Sequence, residues 1–262
     1  MSIYLRWPLL AVMLPLLSAC QPADGEKPTE EKPAEQLSIE KIDKTMLAPA
    51  CDDAEDCSKI SLAYLSFPES PELSAELEQD LFSMLEGIGT GGSEAEPRDL
   101  DQLAASFFAS AQEARQANPD IPPYDASLKA EVVSDHNDLL VVELNGYVFT
   151  GGAHGMPLTE YFVVDRRTQQ RVGLDDMLIE GQREAFDAAV ADAHQRWLKE
   201  IEQNAEFAQQ WPLVETDNVA PMAEDAVIKF NAYDIAPYAL GQPELHLPYA
   251  ALEGIFAERY LP

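Results

Sequence analysis

SLKAEVVSDHNDLLVVELNGYVFT, residues Ser127 to Thr150, reads as two strands joined by a polar turn. Ser127 to Ser134 forms the first strand. Asp135-His136-Asn137-Asp138 is turn material, and Leu139 to Thr150 is a longer strand opening on consecutive apolar residues, Leu139 to Val142. Asn and Asp reverse a chain readily, because their short polar side chains bond the local backbone and tolerate left-handed φ. The spacing therefore predicts an antiparallel hairpin. A third strand follows at Thr159 to Asp165, and a turn over Arg166 to Gln170 returns the chain through Arg171 and Val172. Hairpins in succession, without repeated crossovers, argue for an antiparallel sheet.

Upstream, Ser38 to Met46 and Ser58 to Phe67 have strand patterning, the second alternating through Ile60, Leu62 and Tyr64 until Pro68 and Pro71 end it. Leu73, Leu77, Leu81 and Leu85 then recur every fourth residue, which predicts an amphipathic helix stopping near Gly87 and Gly89. Past a loop with Gly91-Gly92, a second helix runs from about Arg98 to Asn118, with Leu100, Leu103, Phe107 and Ala111 as its buried stripe. Pro119, Pro122 and Pro123 forbid its continuation. Downstream, a helix from about Gly181 to Asn204 presents Phe186, Val190, Ala193, Trp197 and Ile201, with His194 beside that face. Val227 to Asn231 and Glu244 to Leu247 read as the last strands, and Ala250 to Ala257 as a short closing helix. The fold class expected is α+β, an antiparallel sheet with helices packed on it, in two intimately packed subdomains over residues 37–124 and 125–262. No internal repeat is visible.

The first 19 residues read as an export leader. Arg6 is a sparse positive flank, Trp7 to Leu17 is too short to span a bilayer, and Leu17-Ser18-Ala19-Cys20 resembles a bacterial lipoprotein box. That box implies cleavage before Cys20 and its acylation, with palmitate among the chains. Gln21 after the cysteine favours the outer membrane facing the periplasm in a Gram-negative cell. Residues 20–36, rich in Pro, Glu, Lys and Ala, read as the lipidated cysteine and a disordered tether. The membrane would then be reached through the lipid alone.

Composition narrows the partners. The 262 residues are 46% hydrophobic, enough for a real core, and 17 basic against 47 acidic residues give a formal charge of −30. Such a surface repels nucleic acid and favours basic partners, although acidity alone also keeps an exported protein soluble. With Cys20 assigned to the lipid, Cys51 and Cys57 remain, flanking the acidic run Asp52 to Asp56. A disulfide in an oxidising compartment explains the pair best. No histidine lies nearby to complete a zinc site, and the spacing lacks the glycine turn and terminal Glu of a calcium loop. No metal and no cofactor is expected.

Two segments carry unusual local sequence. Tyr147-Val148-Phe149-Thr150-Gly151-Gly152-Ala153-His154-Gly155 packs glycines at a strand end, where they allow a sharp turn or close backbone approach. His154 could serve there as ligand, base or hydrogen-bonding clamp, and a buried histidine holding a bulge explains the turn equally well. Phe230 to Gly241, with Tyr233, Pro237 and Tyr238, is followed by Leu245-His246-Leu247-Pro248-Tyr249. Tyrosines beside Pro and Gly suit recognition of sugars or proteins, and equally the pinning of one loop on another. The binding residues expected are Tyr147, Thr150, Gly151, Gly152, His154, Tyr233, Pro237 and Tyr238. Trp197 belongs to the core stripe, whereas Trp211, before Pro212, falls in a loop where exposure is expected.

Taken in order, the Tyr-x-x-Thr-Gly-Gly-Ala-His-Gly run, a strand ending in Val164-Asp165, Leu174-Asp175-Asp176-Met177, and Tyr-Asp-Ile-Ala-Pro-Tyr-Ala-x-Gly with Leu-Pro-Tyr resemble the extracytoplasmic domain of the RsiV anti-sigma factor family. The resemblance spans about Ala130 to Phe256, and more loosely Leu37 to Asn118 with its partner subdomain. In RsiV this domain binds lysozyme. The resemblance therefore implies a protein-binding domain with lysozyme, or another basic protein, as leading partner. The cytoplasmic anti-sigma segment and transmembrane helix of that family have no counterpart in this sequence, so sequestration or inhibition is expected rather than signalling.

An enzyme is not expected. There is no Gly-x-Ser-x-Gly elbow and no His-Glu-x-x-His motif, and His136, His154, His194 and His246 are scattered. Asp175-Asp176 suits a turn or helix start beside Met177. No catalytic residue is assigned. A related domain accompanies polysaccharide deacetylases, but no catalytic module is recognisable. The leading expectation is a lipid-anchored envelope protein that occludes lysozyme or a peptidoglycan-active enzyme. The rival is a lipoprotein that binds peptidoglycan or another glycan, with its tyrosines as stacking platforms.

Overall fold

Leu139 to Val142 form a continuous apolar run because their strand is covered on both faces. In the computed structural model, which describes residues 37–49, 51, 56–85 and 99–262, this strand is β4 (Leu139–Phe149). It lies inside a six-stranded sheet of order β1-β2-β3-β4-β5-β6. The other members are β1 (Glu40–Leu47), β2 (Lys59–Ser66), β3 (Asp125–His136), β5 (Met156–Asp165) and β6 (Gln170–Val172). Leu140, Val142, Leu144, Val148, Phe162 and Val164 join one core, together with Leu73, Leu77 and Leu81 of α1 (Pro71–Ser83) and Leu103 and Phe107 of α2 (Leu100–Ala117). Leu139, Val141, Tyr161 and Val163 join a second. The second core is closed by α4 (Arg183–Glu200) and a three-stranded sheet of β7 (Val219–Pro221), β8 (Asp225–Lys229) and β9 (Glu244–Pro248).

The β3–β4 hairpin forms where the sequence places it. Asn137 and Asp138 have φ of 48° and 60°, the pair of left-handed residues that matches a two-residue turn to strand twist. One ladder departs from the expected antiparallel sheet: β2 and β3 run parallel, Lys59 opposite Asp125 through Ala63 opposite Lys129. The connection carries α1 and α2, and a helical crossover returns a strand in the same direction. This ladder spans the expected boundary between residues 124 and 125, so the two subdomains share one sheet.

Further differences from expectation lie in the C-terminal half. Ala250 to Ala257 is not a helix; a 3₁₀ turn at Tyr249–Ala251 gives way to bridges that tie Phe256 to Leu178 and Glu253. β7 and the short α5 (Ala205–Gln210) carry no signal of adequate length, and β5 begins at Met156, earlier than its expected Thr159. On α4, His194 lies inside the core at 3% exposure, while Trp197 is only partly buried and packs along its edge. The short α3 (Leu174–Met177) carries Asp175-Asp176 in its first turn, in line with the expected helix start, with the Gly173 N–H donating to Asp176 Oδ2 at 2.9 Å.

Cys51 and Cys57 form the expected disulfide, with Cα atoms 5.9 Å apart. Among the described residues no helix is long and apolar enough to cross a membrane. The leader, Cys20, the 21–36 tether and the glycines from Gly87 to Gly92 lie outside the described residues.

Candidate functional site

The two unusual segments meet. Tyr147, near the end of β4, lays its ring across Gly155: a Cβ on that glycine would stand 2.3 Å from the ring, so any side chain there must displace the tyrosine. The Gly155 N–H donates to the Tyr147 hydroxyl at 3.1 Å, and the Tyr238 hydroxyl donates to the Gly155 carbonyl at 3.0 Å. His154 Nδ1 lies 3.0 Å from the same carbonyl. A carbonyl only accepts, so Nδ1 carries the proton, and Nε2 is left to accept from the Tyr233 hydroxyl at 3.3 Å. Gly151, with φ of +84°, makes the turn itself.

Rings then assemble across the surface. His154 stacks on Tyr238 with centroids 3.8 Å apart, Tyr233 lies 5.7 Å from Tyr238, and Trp211 lies 6.3 Å from Tyr233. His154 is exposed, not buried in a bulge, and Tyr147 and Tyr233 are 42% and 43% exposed. The result is an open aromatic platform drawn from four segments of the chain. Tyr233 has φ of +76°, a left-handed conformation that costs a tyrosine about 1–2 kcal/mol. The local frame holds it there: the Asn231 N–H donates to Asp234 Oδ2 at 2.8 Å, and the Asp234 N–H to the Asn231 carbonyl at 3.2 Å. Pro237 starts the 3₁₀ turn that carries Tyr238. Thr150 and Gly152 are exposed in the same loop as His154. Trp211, expected only to be an exposed loop tryptophan, is half-buried beside Tyr233, and it is not among the expected binding residues because its one sequence signal is a tryptophan beside proline.

A cleft of about 550 Å³ adjoins the platform at Asn231 and Asp234. One wall is β5, β6 and the start of α3; the other is Thr216 to Val219 with Lys229 to Asp234. Asparagines from the second wall satisfy the free edge of β5. Asn231 Oδ1 accepts from the Thr159 N–H at 2.8 Å, Asn218 Oδ1 from the Tyr161 N–H at 2.7 Å, and Asn218 Nδ2 donates to the Thr159 carbonyl at 3.2 Å.

The cleft's cations are committed. Arg171 pairs with Asp80 at 2.6 Å and Glu160 at 3.0 Å, and Lys229 pairs with Glu143 and Glu244. Burial alone would lower the Lys229 pKa, but the hydrogen bonds its ammonium donates to Glu143 and Glu244 outweigh that and raise it. Burial pushes the Asp234 carboxyl up, only partly offset by the Asn231 N–H. Among the described residues no group of three or more His, Cys, Asp or Glu side chains is placed to hold a metal ion.

With this geometry in view, comparison with known proteins gives two family matches. Residues 175–250 match a family described as a protein of unknown function, DUF3298, and residues 51–157 match one described as deacetylase PdaC. The chain is similar to a solved DUF3298 family protein from Pseudomonas aeruginosa PAO1, at 33% identity over 87% of this chain and 98% of that one, with a TM-score of 0.73. A DUF3298 family member from Bacteroides fragilis NCTC 9343 shares the fold at 19% identity over 86% of this chain and 96% of that one, with a TM-score of 0.63. No curated protein matches.

Proposed function

This chain belongs to the DUF3298 family, and from that premise we propose that it is a cell-envelope binding protein whose aromatic platform seats a protein partner. Lysozyme, or another basic peptidoglycan-active enzyme, is the leading partner. The observation that carries this reading is the convergence of Tyr147, His154, Tyr233 and Tyr238 into one exposed, hydrogen-bonded surface. Aromatic rings locked before binding lose little entropy on contact, which is how hot spots gain affinity. A formal charge of −30 favours a cationic partner and speeds its encounter. The motif resemblance to the RsiV extracytoplasmic domain supplies lysozyme as the first partner to try.

In this reading the protein works by occlusion. The Gly151–Gly155 turn and the Tyr233–Tyr238 loop enter the partner's cleft, and a lipid on Cys20, on the 21–36 tether, holds the complex at the envelope. The reading is non-enzymatic, so the deacetylase description of the family matching residues 51–157 stays with that family. Calorimetric titration of the full chain into lysozyme, with a parallel lysis assay, tests the proposal. Saturable binding with loss of lytic activity supports it. No heat and undiminished lysis at about 100 μM, a concentration that would reveal even weak specific complexes, overturn the lysozyme version.

A second reading draws on the same rings. The exposed ring of Tyr233, backed by the half-buried Trp211, suits stacking on a sugar, which makes peptidoglycan the rival ligand. Sedimentation with purified sacculi separates the two: a glycan binder pellets, and a protein binder stays in the supernatant.

A further inference from the structure

Thr159, in the wall of the acidic cleft, is 4% exposed and has both backbone groups bonded, yet its hydroxyl has no partner. Buried hydroxyls are almost always hydrogen-bonded, so one left open beside a cleft points to a group arriving from outside. The surrounding charges say what kind of group. Glu160, Asp175, Asp176, Asp217 and Asp234 line the same cleft. Glu160 is neutralised by Arg171, Asp217 by Arg183 at 2.9 Å, and Asp176 caps α3. Asp175 and Asp234 have no ion-pair partner among the described residues, and Arg171 and Lys229 already serve other carboxylates. Burial raises the Asp234 carboxyl for want of a compensating cation. Asp234 also follows Tyr233 directly, so the unpaired charge borders the platform.

We infer that the cleft receives a basic side chain, a lysine ammonium or an arginine guanidinium, from the polypeptide seated on the platform. Asp234 and Asp175 act as its counter-ions and the Thr159 hydroxyl accepts one of its hydrogen bonds. The platform grips apolar and aromatic surface, and the cleft selects for positive charge beside it. This extends the proposed function, resting on it for the polypeptide nature of the ligand, and assigns a specificity pocket distinct from the rings.

The test uses two tripeptides, Gly-Arg-Gly and its uncharged isostere Gly-citrulline-Gly, titrated into the isotope-labelled full chain and followed by NMR. The arginine peptide is expected to shift Thr159, Asn231 and Asp234 saturably, and the citrulline peptide to leave them in place. Asp234→Asn keeps the acceptor for the Asn231 N–H while removing the charge, and should weaken arginine-peptide binding about tenfold. Thr159→Val should weaken it too, while leaving thermal stability equal or higher because no existing hydrogen bond is lost. Equal binding of both peptides, or unchanged affinity in both variants, overturns the inference. So does saturable occupation of the cleft by calcium ion with exclusion of the peptide. A chain that binds lysozyme but ignores the arginine peptide overturns the pocket and leaves the partner reading standing. One that takes the peptide but not lysozyme does the reverse.

Discussion

At the residue scale, Gly155 and His194 answer to different demands. Gly155 is required by the Tyr147 ring over its Cα, and the ring's outer atoms are what a methyl group would strike. Because that ring is half open to solvent, it can swing away. Gly155→Ala should therefore cost only about 1 kcal/mol, the worth of the lost hydrogen bond to Tyr147, while dismantling the platform. Chemical denaturation set beside partner titration would show a small stability loss and a large affinity loss. His194 belongs to the core. Its Nε2 has no partner, and burial lowers its pKa, so the folded state resists a proton that the unfolded chain accepts near pH 6.5. Its contribution is fully present above that value and fades as pH falls, by up to about 1.4 kcal/mol per pH unit. Asp80, Glu160 and Asp234, whose pKa values burial raises, tilt the other way: their contribution is largest near pH 4 and declines as pH rises. Melting curves from pH 5 to 8 should separate the histidine, since His194→Leu would flatten the acid-side loss of stability that the native chain shows. An unchanged profile would contradict this assignment.

At the scale of elements, the decisive device is the docking of β5 onto the Asn218 and Asn231 segments. Past its short pairing with β6, β5 has an open edge, and two asparagine side chains take over the role of a neighbouring strand. Asn218→Ala would leave the Tyr161 N–H and the Thr159 and Lys229 carbonyls without that partner. A cost of about 2–3 kcal/mol in urea denaturation is expected. The hairpins and long helices were legible from the chain because their causes are local: Asn137-Asp138 for the turn, a leucine every fourth residue for α1. The parallel β2–β3 ladder was not, because pairing across a two-helix crossover leaves no local trace. Nor was β7, three residues ending in proline. The aromatic residues were named from their motifs, but the meeting of His154 with Tyr233 spans 79 residues and belongs to the fold. Asn218 and Thr159 are not among the expected site residues because a lone Asn or Thr in sequence carries no sign of what it will face, and Asp234, though inside the Tyr-Asp-Ile-Ala-Pro-Tyr motif, is passed over for its aromatic neighbours.

At the scale of the whole molecule, two cores on opposite faces of one sheet hold a candidate binding surface in a strongly acidic chain. A charge of −30 should make association with a basic partner fast and salt-sensitive. Raising sodium chloride from about 0.05 to 0.5 M should slow association by about tenfold or more while altering dissociation little, as stopped-flow mixing would show. The central claim, that the exposed rings exist to bind a protein, is open to a sharper test because Tyr233 occupies a conformation that glycine adopts without strain. The decisive measurement is the affinity of lysozyme for the full chain and for its Tyr233→Gly variant, with thermal stability measured alongside. The native chain is expected to bind, and the variant to keep or gain stability but lose affinity by at least about tenfold. Equal affinity in the two proteins, or no binding by the native chain, would contradict it.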